Sequence, residues 1–271
     1  MKTRILTALI ALPIVIAAII LPLWVPQAVW LFVALAGLAL AAGLFEFYSL
    51  TKKLELKADA SVGYVASAAL FIGFVFDAPA KAPDLLVATL GAILIAVLIS
   101  QMFRFQKDFP KMLTGIGVTL LGMFYVVFLG GFLIATRVGF ETVPGLSTKL
   151  LGFFFLIIFG SDAGAYFAGR ALGKHKLAPG ISPGKTVEGL IGGLVAAGGF
   201  AALATATFFP QLPYQFSIPL AIVLAVVGVL GDLCESAMKR GSGSKDAGSI
   251  IPGHGGFLDR LDSLLFGAPI L

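Results

Sequence analysis

FSIPLAIVLAVVGVLGDLCESAMKRGSGSKDAGSIIPGHGGFLDRLD, residues 216–262, runs from an apolar stretch directly into a charged one. The first part, 216–230, is dominated by Leu, Ile, Val and Ala and carries no ionisable side chain, the composition of a helix in lipid. The second part, 232–262, gathers Asp232, Asp246, Asp259, Asp262, Glu235, Lys239, Arg240, Lys245, His254 and Arg260 among six glycines and Pro252. Ionisable groups delivered at the end of a membrane helix lie where lipid gives way to water, and charge in that position marks a functional site.

Working outward, the same contrast governs the whole chain of 271 residues, which is 59% hydrophobic and 12% charged, against about a quarter charged in soluble domains. Apolar segments of about 20 residues, enough to span a bilayer, fall near 5–24, 28–49, 62–78, 85–103, 113–136, 150–168, 187–208 and 216–234. The expectation is an all-α polytopic membrane protein with about eight transmembrane helices and a short further helix after Gly256. The first run follows Met-Lys-Thr-Arg but is longer than a secretory apolar region and has no small-residue cleavage site after it, so it reads as a retained helix. With the N-terminus inside, sixteen of the nineteen Lys and Arg residues fall on the cytoplasmic side, leaving Lys81, Arg137 and Lys149 outside. That asymmetry is the positive-inside pattern and puts both ends in the cytoplasm. The net charge of +5 then reflects topology, and nucleic acid is not an expected partner. Cys234, the single cysteine, excludes an intrachain disulfide and reads as a packing residue.

The chain divides in character. Residues 1–149, about five helices, are apolar with Gly and Ala that permit close helix approach, and suggest a lipid or dimerisation role; Glu46 is expected at the interface. Residues 150–271 form the catalytic region, whose connections are rich in groups that bind phosphate or metal. Asp162 stands about two turns before Arg170 at roughly 1.5 Å per residue. Asp162, Glu188 and Asp232 are expected to converge at the cytoplasmic edge. Ser182-Pro183-Gly184-Lys185-Thr186 reads as the start of the seventh helix, with Ser182 as N-cap and Lys185 beside free amides that attract phosphate. A capped helix with a topology-setting lysine explains that loop equally well. It is not a Walker A loop, because Pro179 stands where Gly is required. Asp232 and Glu235 share a helical face with Lys239. Asp246, Asp259 and Asp262 add hard oxygen ligands of the kind that hold Mg²⁺ together with substrate phosphates. Lys239, Arg240, Lys245, His254 and Arg260 balance a triphosphate, and His254 reads either as a phosphate donor or general acid or as a loop hydrogen-bonder.

Taken together, residues 236–262 resemble the signature of the bacterial phosphatidate cytidylyltransferases, or CDP-diacylglycerol synthases. The likeness runs through S-x-x-K-R, the K-D pair four residues later, P-x-H-G-G and D-R-x-D. Upstream, S-D-A-G-A-Y-F-x-G-R, L-A-P and S-P-x-K-T-x-E-G resemble the same family, so the similarity covers roughly residues 150–265. The resemblance implies condensation of CTP with phosphatidate to CDP-diacylglycerol and pyrophosphate at a bacterial inner membrane, with the site facing the cytoplasm. It further implies Mg²⁺, and room for a second cation, on Asp232 and Asp259, with Asp162 and Asp262 beside them. Ser182, Lys185, Thr186, Arg170, Lys239, Arg240, Lys245, Asp246 and Arg260 are then expected around nucleotide and phosphates, in a homodimer. Relatives often continue into another hydrophobic helix beyond the position of Leu271.

Two other classes fit parts of the pattern. A transporter of anionic solutes would hold its charges at the midplane, whereas these cluster at one edge. A CTP-dependent polyprenol or phytol kinase has similar cytoplasmic motifs and would release CDP instead of pyrophosphate. The D-G-x-x-A-R pattern of CDP-alcohol phosphotransferases is absent.

Overall fold

The computed structural model describes residues 2–77, 84–140, 143–244, 246–248, 250–251 and 255–271. Helices α1 (Lys2–Ile20), α2 (Val29–Lys53), α3 (Ala60–Phe76), α4 (Asp84–Phe105) and α5 (Phe109–Gly122) are followed by a π-helical segment, Met123–Phe128, that leads without a break into α6 (Leu129–Val138). Then come α7 (Leu146–Leu172), a β-hairpin of β1 (Lys176–Ala178) and β2 (Ser182–Thr186), α8 (Val187–Thr207), α9 (Tyr214–Gly241) and the short α10 (Leu258–Gly267). Among the described residues, six stretches are long and apolar enough to cross a membrane: Pro26–Lys53, Asp84–Phe105, Phe109–Val138, Leu146–Leu172, Val187–Thr207 and Tyr214–Gly241. Ala11–Leu23 and Ala60–Phe76 are shorter apolar helices. The protein is an all-α polytopic membrane protein, and each of the eight apolar segments expected from sequence is helical over most of its described residues. Leu, Ile, Val and Phe side chains such as Val65, Val87, Phe103, Val195 and Phe216 cover the outside, as a lipid-facing surface requires.

Small residues decide which helices touch. A Cβ on Gly192 would collide with Ala168, one on Gly164 would collide with Ala196, and one on Gly193 would come 3.0 Å from the Ser161 carbonyl oxygen. Helices α7 and α8 therefore pack nearly backbone to backbone, the contact that replaces hydrophobic driving force inside a bilayer. Apolar packing also runs across residue 149 in both directions. Leu258, Leu265 and Ala247 join the cluster built on Leu44, Leu70, Phe74 and Val126. Ala18, Phe32 and Leu133 join the one built on Phe153, Ile157, Ala201 and Leu224. Arg137 is 1% exposed at the far end of α6, where it donates to Thr148 Oγ1 at 3.0 Å and to the Ala18 carbonyl at 3.4 Å. It thus ties α6, α7 and the last turn of α1 together, with the carbonyl end of α1 supplying partial negative charge.

The connection before α8 departs from expectation. Residues 182–186 are extended and pair antiparallel with β1, with Lys176 opposite Thr186 and Ala178 opposite Ser182. Ser182 is consequently not an N-cap. Thr186 takes that role: its backbone is extended and its Oγ1 accepts from Gly189 N at 3.1 Å. With the chain extended from Ser182 to Thr186 and the helix starting at Val187, residues 182–185 are not the first turn of a helix, and the expected cluster of helix-start amides around Lys185 is not formed there. Glu188 also serves the hairpin, accepting from the Lys174 and His175 amides with His175 Nδ1 2.6 Å from its Oε1. It closes the base of this loop and does not join the acidic cluster.

Candidate active site

Three elements meet where α9 ends. The hairpin brings Lys185 Nζ to 2.7 Å from Asp232 Oδ2, and Ser236, one turn along α9, donates its hydroxyl to Asp232 Oδ1 at 3.2 Å. The α7 residue Asp162, which is exposed, is close enough for the charges of Asp232 and Lys185 to act on it. From α10, Asp262 feels the fields of Asp232, Asp162 and Lys239. Burial first, and those two carboxylates second, push Asp262 up to about 7 from an ordinary value of 3.8. The structure thus draws Asp162, Asp232 and Asp262 into one acidic neighbourhood with Lys185 facing it. Among the described residues no three His, Cys, Asp or Glu side chains stand together as a finished metal cage.

A second constellation lies deeper. Lys239 Nζ sits between Glu235 Oε2 and Asp259 Oδ1, the latter at 2.5 Å. Glu235 is completely buried, Lys239 is 14% exposed and Asp259 8%. Asp259 Oδ2 also accepts from Gly256 N at 2.8 Å and from Ala247 N at 3.1 Å. Burial opposes ionisation of Asp259, but the hydrogen bonds from Lys239 and Gly256 and the lysine charge outweigh it and hold the carboxyl below its ordinary value. Both Asp259 oxygens are therefore committed to Lys239 and the backbone, which sets it apart from Asp162, Asp232 and Asp262 among the expected metal ligands.

The remaining expected residues spread around this centre. Arg240 is exposed at the end of α9 and donates to the Ile181 carbonyl at 3.5 Å, tethering the hairpin tip. Arg170 is exposed and bonded to Tyr166 Oη at 3.1 Å on its own helix. Asp246 and Arg260 are exposed, Ser182 is half-buried on β2, and Thr186 is buried as the cap of α8. Lys245 and His254 lie outside the described residues.

The Cytidylyltransferase family model matches residues 2–271. The chain belongs to the cytidylyltransferase family. A phosphatidate cytidylyltransferase of Synechocystis sp. is 32% identical over 294 aligned positions, covering 99% of this chain and 94% of that protein. A phosphatidate cytidylyltransferase of Bacillus subtilis is 39% identical over 196 residues, 64% of this chain and 71% of that protein. One from Haemophilus influenzae is 47% identical over a shorter match of 124 residues, 44% of this chain and 43% of that protein. As a cytidylyltransferase the chain is a nucleotidyltransferase, and the groups just described are its polar centre.

Glu235, read from the sequence as sharing a helical face with Asp232 and Lys239, is the fully buried partner of Lys239. Two further parts of this cytidylyltransferase's centre were not among the sequence candidates. Tyr125 is one: the π-helical segment holds it 6% exposed with no partner for its hydroxyl among the described residues, near enough to feel Asp262 and Glu235. The other, Glu46, is 2% exposed, buried inside the protein. Its signal was present, since a carboxylate inside an apolar helix is functional by default.

Proposed function

We propose that this chain is the phosphatidate cytidylyltransferase of a bacterial inner membrane, condensing CTP with phosphatidate to CDP-diacylglycerol and pyrophosphate. The observation that carries the reading is Lys185 facing Asp232 beside Asp162 and Asp262, at the end of a membrane helix, in a chain similar over 99% of its length to a phosphatidate cytidylyltransferase. In the reaction an oxygen of the phosphatidate phosphate forms a bond to the α-phosphorus of CTP while the bond to pyrophosphate breaks. Two anions must approach, so neutralising and aligning them supplies most of the rate. In this reading Lys185, Arg240, Arg260 and Arg170, with Lys245 and His254, serve as cations for the phosphates, and Asp246 acts beside them. Lys239 holds Asp259 and Glu235. No nucleophilic side chain is required, because phosphatidate brings its own.

The donor set fits Mg²⁺. Asp162, Asp232 and Asp262 lie within range of one another's charges with Lys185 facing Asp232, and burial first and those charges second push Asp262 up to about 7, so this neighbourhood is short of positive charge. Mg²⁺ takes one or two carboxylates and completes its shell with water and phosphate oxygens, which suits a cluster that is not closed on itself. Asp162, Asp232 and Asp262 would hold the ion, with Asp259 alongside and a second cation a further option; the ion would neutralise CTP oxygens. Eight spans with both termini and the polar centre in the cytoplasm, where CTP is available, agree with the distribution of Lys and Arg. Residues 1–149 then form the lipid-embedded and dimer-forming region of a homodimer, and 150–271 the catalytic region.

The test is pyrophosphate release by the purified protein in mixed micelles, leaving out CTP, Mg²⁺ and phosphatidate in turn. Release that requires all three, with CDP-lipid formed in equal amount, is expected. Release of CDP with a lipid alcohol, and none with phosphatidate, would overturn it.

A further inference from the structure

Glu46 belongs to α2, 212 residues before Leu258, yet its carboxylate is built into the start of α10. Its Oε2 accepts from Leu258 N at 2.8 Å, and the Phe257 amide lies beside the same carboxylate. These are first-turn amides, which have no partner inside a helix, and a carboxylate there also meets the positive end of the helix dipole. Phe257, the residue in the cap position, has no side chain able to serve.

The surroundings are shaped to admit the carboxylate. A Cβ on Gly248 or on Gly256 would run into Glu46, so the loop before α10 wraps it with backbone alone. Gly43, one turn earlier on α2, lets Leu261 approach to 3.3 Å from where its Cβ would stand. Lys53, two turns on, donates to Ser244 Oγ at 3.0 Å. One face of α2 thus grips both ends of the loop that joins α9 to α10.

The amides Glu46 holds immediately precede Asp259, and the Gly256 that packs on it donates to Asp259 at 2.8 Å. Asp262 follows one turn later on the same rigid helix. We infer that Glu46 is a positioning residue for the nucleotidyl transfer: by capping α10 from the N-terminal region it sets where Asp259 and Asp262 stand relative to Asp232 and Lys239. This rests on the reading of α10 as part of the active site. It gives residues 1–149 a direct share in catalysis without touching substrate.

Removing the cap frees α10 to shift by a fraction of an ångström to an ångström, a displacement that costs up to about 100-fold when catalytic geometry is involved. In the pyrophosphate assay Glu46→Ala is expected to lower kcat by about 10- to 100-fold with the apparent KM for CTP within about 3-fold, since the nucleotide-facing lysines are untouched. Glu46→Gln keeps a carbonyl oxygen for the amides and is expected to retain most turnover. Hydrogen exchange of the detergent-purified protein should show lost protection confined to residues 255–262 in Glu46→Ala. Gly248→Ala, which crowds the carboxylate while leaving it in place, serves if Glu46→Ala does not fold, and is expected to lower kcat likewise. Unchanged kcat per folded molecule in Glu46→Ala or Gly248→Ala overturns the inference, as does a loss accompanied by loosened exchange throughout the bundle. A wild-type protein inactive with CTP and phosphatidate would instead refute the functional reading, and the exchange pattern would still report on the cap.

Discussion

Lys239→Met is expected to destabilise the protein far more than Lys185→Met, although each lysine pairs with an aspartate. The difference comes from burial. Lys185 and Asp232 are 23% and 36% exposed, so water already screens them and their pairing is worth about 0–1 kcal/mol. Lys239 is 14% exposed and sits against a fully buried Glu235 and an Asp259 that is 8% exposed. Methionine retains the apolar stem but leaves two buried carboxylates facing each other, and stripping one partner from a buried pair costs about 3–5 kcal/mol. Two hydrogen bonds to charged groups at about 1.5–3 kcal/mol each give a similar sum. At about 2–4 °C per kcal/mol, the unfolding midpoint should fall by on the order of 10 °C, against no more than about 4 °C for Lys185→Met. Tryptophan fluorescence during heating in detergent, with EDTA present, measures both. Adding Glu235→Gln to Lys239→Met should recover part of the loss, because the pair is then removed as a unit. A Lys239→Met shift no larger than that of Lys185→Met would refute the assignment of Lys239 as the buried counter-charge.

Asp232→Asn should abolish CDP-diacylglycerol formation with the protein still folded, and near-normal turnover at saturating Mg²⁺ would remove Asp232 from the metal site. Lys185→Ala should raise the apparent KM for CTP by about 10-fold or more, the loss of one charge-assisted contact of about 1.5–3 kcal/mol; an unchanged KM would return the hairpin to a structural role. Asp262, with a folded value near 7, binds its proton in the folded protein through a range where the unfolded chain has released it. Without divalent cations, stability should therefore decline as pH rises from about 4 to 7, and Asp262→Asn or added Mg²⁺ should flatten that slope; a slope unaltered by Asp262→Asn refutes the assignment. In a Cys234→Ala background, Ser242→Cys should react with impermeant thiol reagents only from the cytoplasmic side, and labelling from outside overturns the topology.

The apolar helices were legible because a membrane helix is written in composition over about 20 residues, a signal that single substitutions do not blur. The site's second layer was less so. Asp232 and Lys185 stand more than forty residues apart, and sequence could say only that each was charged at the end of a span; the hairpin that joins them is too short for periodicity to reveal. Ser182-Pro183 has the chemistry of a helix start, yet strand pairing across the turn at Ala178–Ile181 outbid it and moved the cap to Thr186. The burial of Glu46 was not legible because the residues that enclose it, Gly248, Gly256 and Leu258, come from the far end of the chain.

The π-helical segment at Met123–Phe128 amounts to one residue more than an α-helix needs to connect α5 to α6. In regular α-helix one extra residue would rotate everything beyond it by about 100° around the rod; the wide turn absorbs it locally, so that Thr119 faces α2 and α3 while Arg137 faces α1 and α7. Deleting one residue within 123–128 would close the wide turn into regular α-helix and keep both ends on their present faces, whereas a deletion in α6 would turn Arg137 away from its partners. The rod therefore has one place where its length can change without changing its bearings, and Tyr125 occupies it.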